Sequence, residues 1–286
     1  MRFLFFLFVL SITVSCKNDT REPAPLSNEP VQTEAMEIDR PDPDIQREQS
    51  ITLKQEALKS RPDEKEALQQ LIISKNFQKE ADLYTLDFNY PLLNTKRKAS
   101  YANFNEHIEQ YYVDISGTEA AILEASELIC DTVRTDRFRE KRTIDYKVHT
   151  INDELLSVLF YKENFYAGTI HPTYSFDSMN YNLEQSVFMT YEDFFTQGSE
   201  DTMRGILNDL LNQQIAAGEI YYDCWAITAD DFFTYKNNFV VNDTYVEYFF
   251  DDCVICPSYT GTYSIQIPLE RLLPVLRKYK NNPLSI

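Results

Sequence analysis

Apolar and polar positions along the chain keep two different periods, and they come in blocks. In LYTLDFNYPLL (83–93), Tyr84, Leu86, Phe88 and Tyr90 fall on one face of a strand and Leu83, Thr85, Asp87 and Asn89 on the other, with Pro91 closing it. TIDYKVHTI (143–151) and LLSVLFYKE (155–163) flank Asn152-Asp153-Glu154, the pattern of a hairpin with a short polar turn. A further strand region runs through GTIHPTYSFDSMNYNLEQ (168–185), and the last third is again strand-like in NNFVVN (237–242), TYVEYFF (244–250) and TYSIQIP (262–268).

Between these blocks the period lengthens to that of a helix. EKEALQQLIISK predicts a short amphipathic helix over 63–75, after the break at Pro62. SYANFNEHIEQYYVD (100–114) and TEAAILEASELICDTV (118–133) predict two more. The second has Thr118 as its N-cap and Ile122, Leu123, Leu128 and Ile129 as its apolar stripe. Helices are also predicted at TYEDFF (190–195), at EDTMRGILNDLLNQQIAA (200–217) between Gly198 and Gly218, and at PLERLLPVLRKY (268–279). Blocks of hairpins and helices, without strict strand–helix alternation, predict an α+β fold: a mostly antiparallel sheet packed with several helices, in two consecutive α+β subdomains. Some 200 residues from about Ala81 onward suffice to bury a sizeable core without a metal or disulfide.

The first eighty residues have a different character. MRFLFFLFVLSITVSC (1–16) has one positive residue, an apolar run from Phe3 to Leu10 and small residues up to Cys16, as a secretory signal does; it is too short to span a bilayer. Thr13-Val14-Ser15-Cys16 resembles the lipobox of bacterial lipoproteins, with Thr13 where Leu is usual, and this implies lipidation at Cys16. Two or more acyl chains would make a stable anchor. Residues 17–50 hold Pro23, Pro25, Pro30, Pro41 and Pro43 among acidic and small polar residues, the composition of an extended, disordered tether. Residues 51–80 are read as a linker helix region.

Charge narrows the partners. Lys and Arg number 27 against 45 Asp and Glu, a formal charge of -18 at pH 7. That field repels nucleic acid and anionic lipid headgroups, attracts cationic partners, and also serves plain solubility. Nineteen Tyr, nineteen Phe and one Trp supply a core and, where they border loops, surface anchors. Tyr166, Tyr174 and Trp225 are the anchor candidates because each adjoins turn or loop residues.

Candidate chemistry is sparse. The three histidines, His107, His149 and His171, share no metal-ligand spacing, and the pre-proline His171 suits loop fixing better than ligation. No GxSxG, Walker loop, dinucleotide fingerprint or EF-hand occurs. Asp230-Asp231 and Asp251-Asp252 are neighbours, which on a strand point to opposite faces. No cofactor or metal is implied and no catalytic residue is assigned. Besides Cys16 there are Cys130, Cys224, Cys253 and Cys256; the lone CxxC at 253–256 leaves a strand for a Pro-Ser-Tyr turn, unlike a redox centre at a helix N-terminus. An exported setting favours disulfides, and a staple between Cys224 and either Cys253 or Cys256 is the expectation, with Cys130 a buried thiol.

Several of these segments share a resemblance. LYTLDFNYPLLN, AGTIHPTYSFDSMNYNLE, VFMTYEDFF and NNFVVNDTYVEYFFDDCVICPSYTGTYSIQIPLERLLPVL resemble the paired extracytoplasmic domains of RsiV-type anti-sigma factors and of the N-terminal part of PdaC-type peptidoglycan deacetylases. The residues that carry it are Ala167, Gly168, His171, Pro172, Thr190, Asp193, Phe194, Pro257, Tyr259, Gly261, Ile267 and Pro268. It covers about 81–277 and implies a first domain over 81–184 and an RsiV-like domain over 185–286. The deacetylase metal motif is absent: TADDFF (228–233) lacks the following glycine and the histidine pair. With no segment before the signal peptide, sigma-factor inhibition is not expected either. What the resemblance leaves is the outer module, similar in RsiV to a receptor for lysozyme.

The reading is therefore a non-enzymatic lipoprotein of the bacterial envelope, at the outer membrane or on the periplasmic face. It would bind a lysozyme-type cationic protein or peptidoglycan through Tyr166, His171, Tyr174, Trp225 and Tyr259, with no nucleic-acid partner. The alternative is an envelope glycan hydrolase with two carboxylates brought together only by the fold.

Overall fold

A computed structural model describes residues 71–127, 139–152, 154–220, 224–278 and 282–284. All of them fall in the unit Pro41–Ile286. Cys16, Cys130, the tether and most of the predicted 63–75 helix lie outside the described residues.

The fold is α+β. Strands β1 (Ile72–Glu80), β2 (Tyr84–Leu93), β3 (Glu140–Ile151), β4 (Leu155–Phe165), β5 (Thr173–Asn182) and β6 (Val187–Met189) form one sheet in sequence order. Every pair is antiparallel except β2–β3. A parallel pair cannot be joined by a tight turn. Here the crossover carries a helical layer: a 3-10 turn at Ala99–Tyr101, α1 (Ala102–Glu106), a π-helical stretch at His107–Val113 and α2 (Ile115–Glu127).

The second half holds α3 (Tyr191–Phe194), α4 (Glu200–Ala216), α5 (Ala229–Tyr235) and α6 (Leu269–Leu272), around a three-stranded antiparallel sheet of β7 (Phe239–Val241), β8 (Tyr245–Phe249) and β9 (Ser264–Pro268). Thr190 and Thr228 cap α3 and α5 in reciprocal capping boxes with Asp193 and Asp231. The acid pair in TADDFF is thus a helix start.

Four expectations are corrected. Pro91 does not close its strand, since β2 pairs on through Leu93. Residues 72–75 are not helical and 72–80 is not linker: β1 pairs with β2 along all nine residues. As an edge strand it is stabilised mainly by backbone bonds and shows little apolar alternation, its burial falling at Ile72 and Phe77. The helix expected from Thr118 starts at Ile115, because Asp114, left-handed at φ 32°, closes the π-stretch and its Oδ1 accepts the Gly117 N–H at 3.0 Å. Of its expected stripe Ile122 is buried, whereas Leu123 is 47% exposed. Finally, the helix expected over 268–279 is a single turn. Pro274 cannot continue it, and Leu276 instead bridges to Phe195.

Two cores result. One side of the large sheet, through Leu86, Phe88, Ile144, Val148, Val158, Phe160 and Tyr181, packs on Phe104, Ile108, Val113 and Ile122 of the helical layer. The other core gathers Tyr191, Phe194, Phe195, Met203, Leu207, Phe232, Phe239, Tyr248 and Ile267. Leu159, Phe176, Val240, Phe249 and Tyr263 form a smaller cluster of residues from both sheets.

Polar side chains close the edges where the sheets meet. Strand β6 covers only Asn180–Asn182 of β5, so the outward backbone groups of Tyr174, Phe176 and Ser178 need other partners. The Asp252 N–H donates to Tyr174 O at 3.1 Å, and Asp251 Oδ1 accepts from Phe176 N at 3.0 Å. Asn238 Nδ2 donates to Phe176 O at 2.6 Å and its Oδ1 accepts from Ser178 N at 2.7 Å. The favour is returned on the outer edge of β7. Asn180 Nδ2 donates to Phe239 O, Thr150 Oγ1 to Val241 O, and Val241 N to Ser157 Oγ. Each sheet therefore covers an edge of the other that would otherwise be open to pairing.

Candidate functional site

Strands β4 and β5 are joined by the turn Tyr166–Pro172. Gly168 sits at φ 79°, a conformation that favours glycine, and Tyr166 O accepts both the N–H and the hydroxyl of Thr169, at 3.2 and 2.8 Å. The turn is held from below by two residues of β3. The Arg142 guanidinium lies 3.6 Å from the Tyr166 ring centroid and pairs with Glu140 at 2.5 Å. Glu140 is buried, accepts the Ala167 N–H at 3.4 Å and donates its own N–H to Leu83 O. A stacked, ion-paired arginine thus fixes one face of Tyr166, a residue that is 39% exposed. Ile170, 84% exposed, and the exposed His171 form the tip.

The other predicted residues gather around the loop Asp251–Gly261. Cys224 is bonded to Cys256, and Cys253 remains an exposed thiol in a left-handed conformation, φ 63°. Beside the disulfide, Trp225 donates its backbone N–H to Ile255 O and its indole N–H to Val254 O, with 44% of the residue exposed. Tyr259 is half-buried in a 3-10 turn ended by Gly261 in the left-handed region. Tyr174 is not a free anchor: its ring packs between Tyr161 and Tyr263, with centroids 5.9 and 6.2 Å away, and its carbonyl holds Asp252.

A third grouping was not expected from the sequence. The π-stretch presents Tyr112, whose hydroxyl donates to Asp177 Oδ2 at 3.0 Å; Lys162 Nζ reaches the same oxygen at 2.9 Å and lies 4.0 Å over the Tyr112 ring. Next to it Asp251 accepts from Phe176 N and, through Oδ2, from the Tyr235 hydroxyl at 3.1 Å. Burial raises the Asp251 carboxyl above its ordinary range, helped by the charge of Asp177 and opposed by its hydrogen bonds and by Lys162. Burial likewise pushes the Tyr235 phenol up to about 12 and holds Tyr112 well above the ordinary phenol value. Both tyrosines stay protonated donors at neutral pH. Asp251 and Asp252 do diverge, Asp252 accepting from the Ser258 hydroxyl at 3.0 Å, although their segment is a loop and not a strand.

Among the described residues no group of three or more His, Cys, Asp or Glu is placed to hold a metal. His107 packs on Phe188 and His149 meets Phe249 edge-on. Two surface features stand out among the described residues: one aromatic turn clamped by an arginine, and a disulfide-tied loop bearing Trp225 and Tyr259. Lys162 and Asp177 were not expected because they meet through strand register, and Glu140 and Arg142, two apart on β3, because the turn they hold follows a different strand. Only the alternation of β4 and β5, once paired, could have shown Lys162 and Asp177 on one face.

No family model matches the chain, and no curated protein matches it. Among solved structures it is similar to a DUF3298 family protein from Pseudomonas aeruginosa PAO1, 14% identical, over 72% of this chain and 93% of that one, with a TM-score of 0.50. A DUF3298 family member from Bacteroides fragilis NCTC 9343 is 16% identical over 72% and 93%, with a TM-score of 0.47. At such identity the likeness is one of fold.

Proposed function

We propose that this chain is a non-catalytic binding module of the bacterial envelope, held outside the cytoplasm by a lipid at Cys16 and recognising a cationic protein of lysozyme type. The observation that carries the reading is the Tyr166–Pro172 turn, where Tyr166 is pinned by Arg142 while Ile170 stands 84% exposed at the tip. A rigid aromatic beside an exposed aliphatic is the composition of an interface anchor. The charge supports it: residues 185–286 carry fourteen acidic against six basic residues, a field that steers a basic partner. The RsiV-like resemblance fits the DUF3298-type fold. Binding of Lys17–Ile286 to a basic lysozyme, measured at low and high salt, tests the reading. Saturable binding that weakens steeply with salt and falls at least about tenfold in Ile170→Ser and Tyr166→Ala supports it. No binding at low ionic strength removes it.

The hydrolase alternative draws on one observation, the raised carboxyl of Asp251 beside Asp177. Against it, both Asp251 oxygens are already taken by Phe176 N and the Tyr235 hydroxyl. Turnover of peptidoglycan that vanishes in Asp251→Asn would restore it.

A further inference from the structure

Three cysteines belong to one loop and the arm bonded to it. Cys224 is joined to Cys256, and Cys253 stands three residues before Cys256 as an exposed thiol. The backbone bends at Val254, Ile255 and Cys256, so the loop curls between Cys253 and the disulfide. Cys253 sits at φ 63°, a conformation that residues with a side chain rarely adopt. Its neighbours impose it. The Asp252 N–H is held by Tyr174 O at 3.1 Å and the Val254 N–H by Asp251 O at 3.3 Å, while the carbonyls of Val254 and Ile255 accept the indole and backbone N–H groups of Trp225. Trp225 follows Cys224 in the chain. The two residues between Cys253 and Cys256 are therefore clamped by the arm that carries the third sulfur.

A second feature points at the same thiol. Tyr263 is 4% exposed, and its hydroxyl has no hydrogen-bond partner among the described residues. Burial raises this phenol above its ordinary value, and the charges of Asp252, Tyr174 and Cys253 raise it further, so the hydroxyl looks toward the Cys253 end of the loop. Asp252 already accepts from the Ser258 hydroxyl at 3.0 Å and from the Cys253 thiol at 3.8 Å. A buried phenol without an acceptor is costly, and a Cys253 thiolate is an acceptor for it.

We infer that Cys253 is the nucleophile of an internal thiol–disulfide exchange that moves the covalent tie of Cys256 from Cys224 to Cys253, with the Tyr263 hydroxyl as donor to the attacking thiolate. The Cys253 thiolate forms a bond to Cys256 Sγ and the Cys224–Cys256 bond breaks. Its electron pair leaves on Cys224, which takes up the proton that Cys253 gave to solvent. One disulfide and one thiol are present before and after, so no oxidant or reductant is consumed. Cys256 is 2% exposed whereas Cys224 is half-buried, which makes Cys224 the better-solvated leaving thiolate. The product ties Trp225 to the loop by hydrogen bonds alone. Exchange thus gives the loop two covalent states, one with the tryptophan arm fastened and one with it released. Backbone strain of the kind held at Cys253 collects at switch segments. The inference is independent of the protein-recognition reading above, since it needs no ligand and no residue of the Tyr166–Pro172 turn.

The test uses Lys17–Ile286 carrying Cys130→Ser, in which Cys224, Cys253 and Cys256 are the remaining cysteines. The protein is held at about pH 7 and about pH 9, on either side of the ordinary thiol value of about 8.5, then alkylated, quenched in acid and mapped by mass spectrometry. At the higher pH the label should appear on Cys224 as well as on Cys253, and the molecules labelled at Cys224 should contain a Cys253–Cys256 disulfide. Cys253→Ser should abolish the label on Cys224. Cys224→Ser, refolded with glutathione disulfide as oxidant, should close a Cys253–Cys256 bond. Tyr263→Phe should slow the appearance of label on Cys224 by about fivefold, the loss of one hydrogen bond to the thiolate. Label confined to Cys253 at both pH values, label on Cys224 that persists in Cys253→Ser, a Cys224→Ser protein that keeps both thiols, or a rate that Tyr263→Phe leaves unchanged would overturn the inference.

Discussion

Asn238 takes both hydrogens of Ser178: its Oδ1 accepts the backbone N–H at 2.7 Å and the hydroxyl at 2.8 Å. Its Nδ2 meanwhile donates to Phe176 O and Phe249 O, so one buried carboxamide joins β5 of the large sheet to β8 of the small one. Asn238→Ala should cost about 2–4 kcal/mol, because it strands several buried backbone groups at once. Asn238→Asp should also destabilise at neutral pH, since an ionised carboxylate offers no donor to the two carbonyls. Urea unfolding of both variants checks this.

Asp251 gives a pH signature. Its folded carboxyl is raised above the ordinary value, so the native state holds its proton to a higher pH than the unfolded chain does. The stabilisation this brings is complete below the ordinary Asp value of 3.8 and is lost as pH rises through the folded value. The stability of the parent chain relative to Asp251→Asn should therefore grow as pH falls through that window. Paired denaturation curves at several pH values would show it; a difference independent of pH would contradict it. Asp251→Ala should be worse than Asp251→Asn at neutral pH, because Phe176 N then loses its acceptor.

The Cys224–Cys256 bond closes a loop across a sequence separation of 32. Reducing it should cost about 3–4 kcal/mol by releasing chain entropy in the unfolded state. Trp225, the single tryptophan, hangs on the carbonyls of Val254 and Ile255 beside that bond. Its fluorescence should shift to the red on reduction before the protein unfolds globally. A tryptophan signal that changes only with global unfolding would show that the loop is held without the disulfide.

At the aromatic turn, Arg142→Lys should keep an ion pair with Glu140 and lose the planar stack on Tyr166. About 1 kcal/mol of local stability should go with it. Amide exchange at Ala167–Thr169 should accelerate while exchange in β2 stays unchanged.

The strands were legible where burial is one-sided. The alternation at Tyr84, Leu86, Phe88 and Tyr90 and the polar turn at 152–154 are both read directly from residue type, as is the helix at TYEDFF; the helix α5 was not expected, because seven residues are too few to show a helical period. β1 was not, because an outer strand with solvent on most of its side chains carries no alternating record, and Leu71-Ile72-Ile73 extends the helix-like spacing of the residues before it. The start of α2 was hidden by Asp114, whose left-handed backbone follows from the π-stretch and not from residue type. Of the proposed anchors, Tyr166 and Trp225 are partly exposed as their loop neighbours suggested, while the inward stacking of Tyr174 depends on Tyr161 and Tyr263, which are 13 and 89 positions away in the chain.

The exchange of Asn238, Asp251, Asn180, Ser157 and Thr150 between the sheets bears on how the polypeptide can be divided. Cutting near residue 185 would give two fragments, each with a raw strand margin and a half-lined core. Neither half should be soluble when produced alone, and mixing them should restore native material only if both are refolded together.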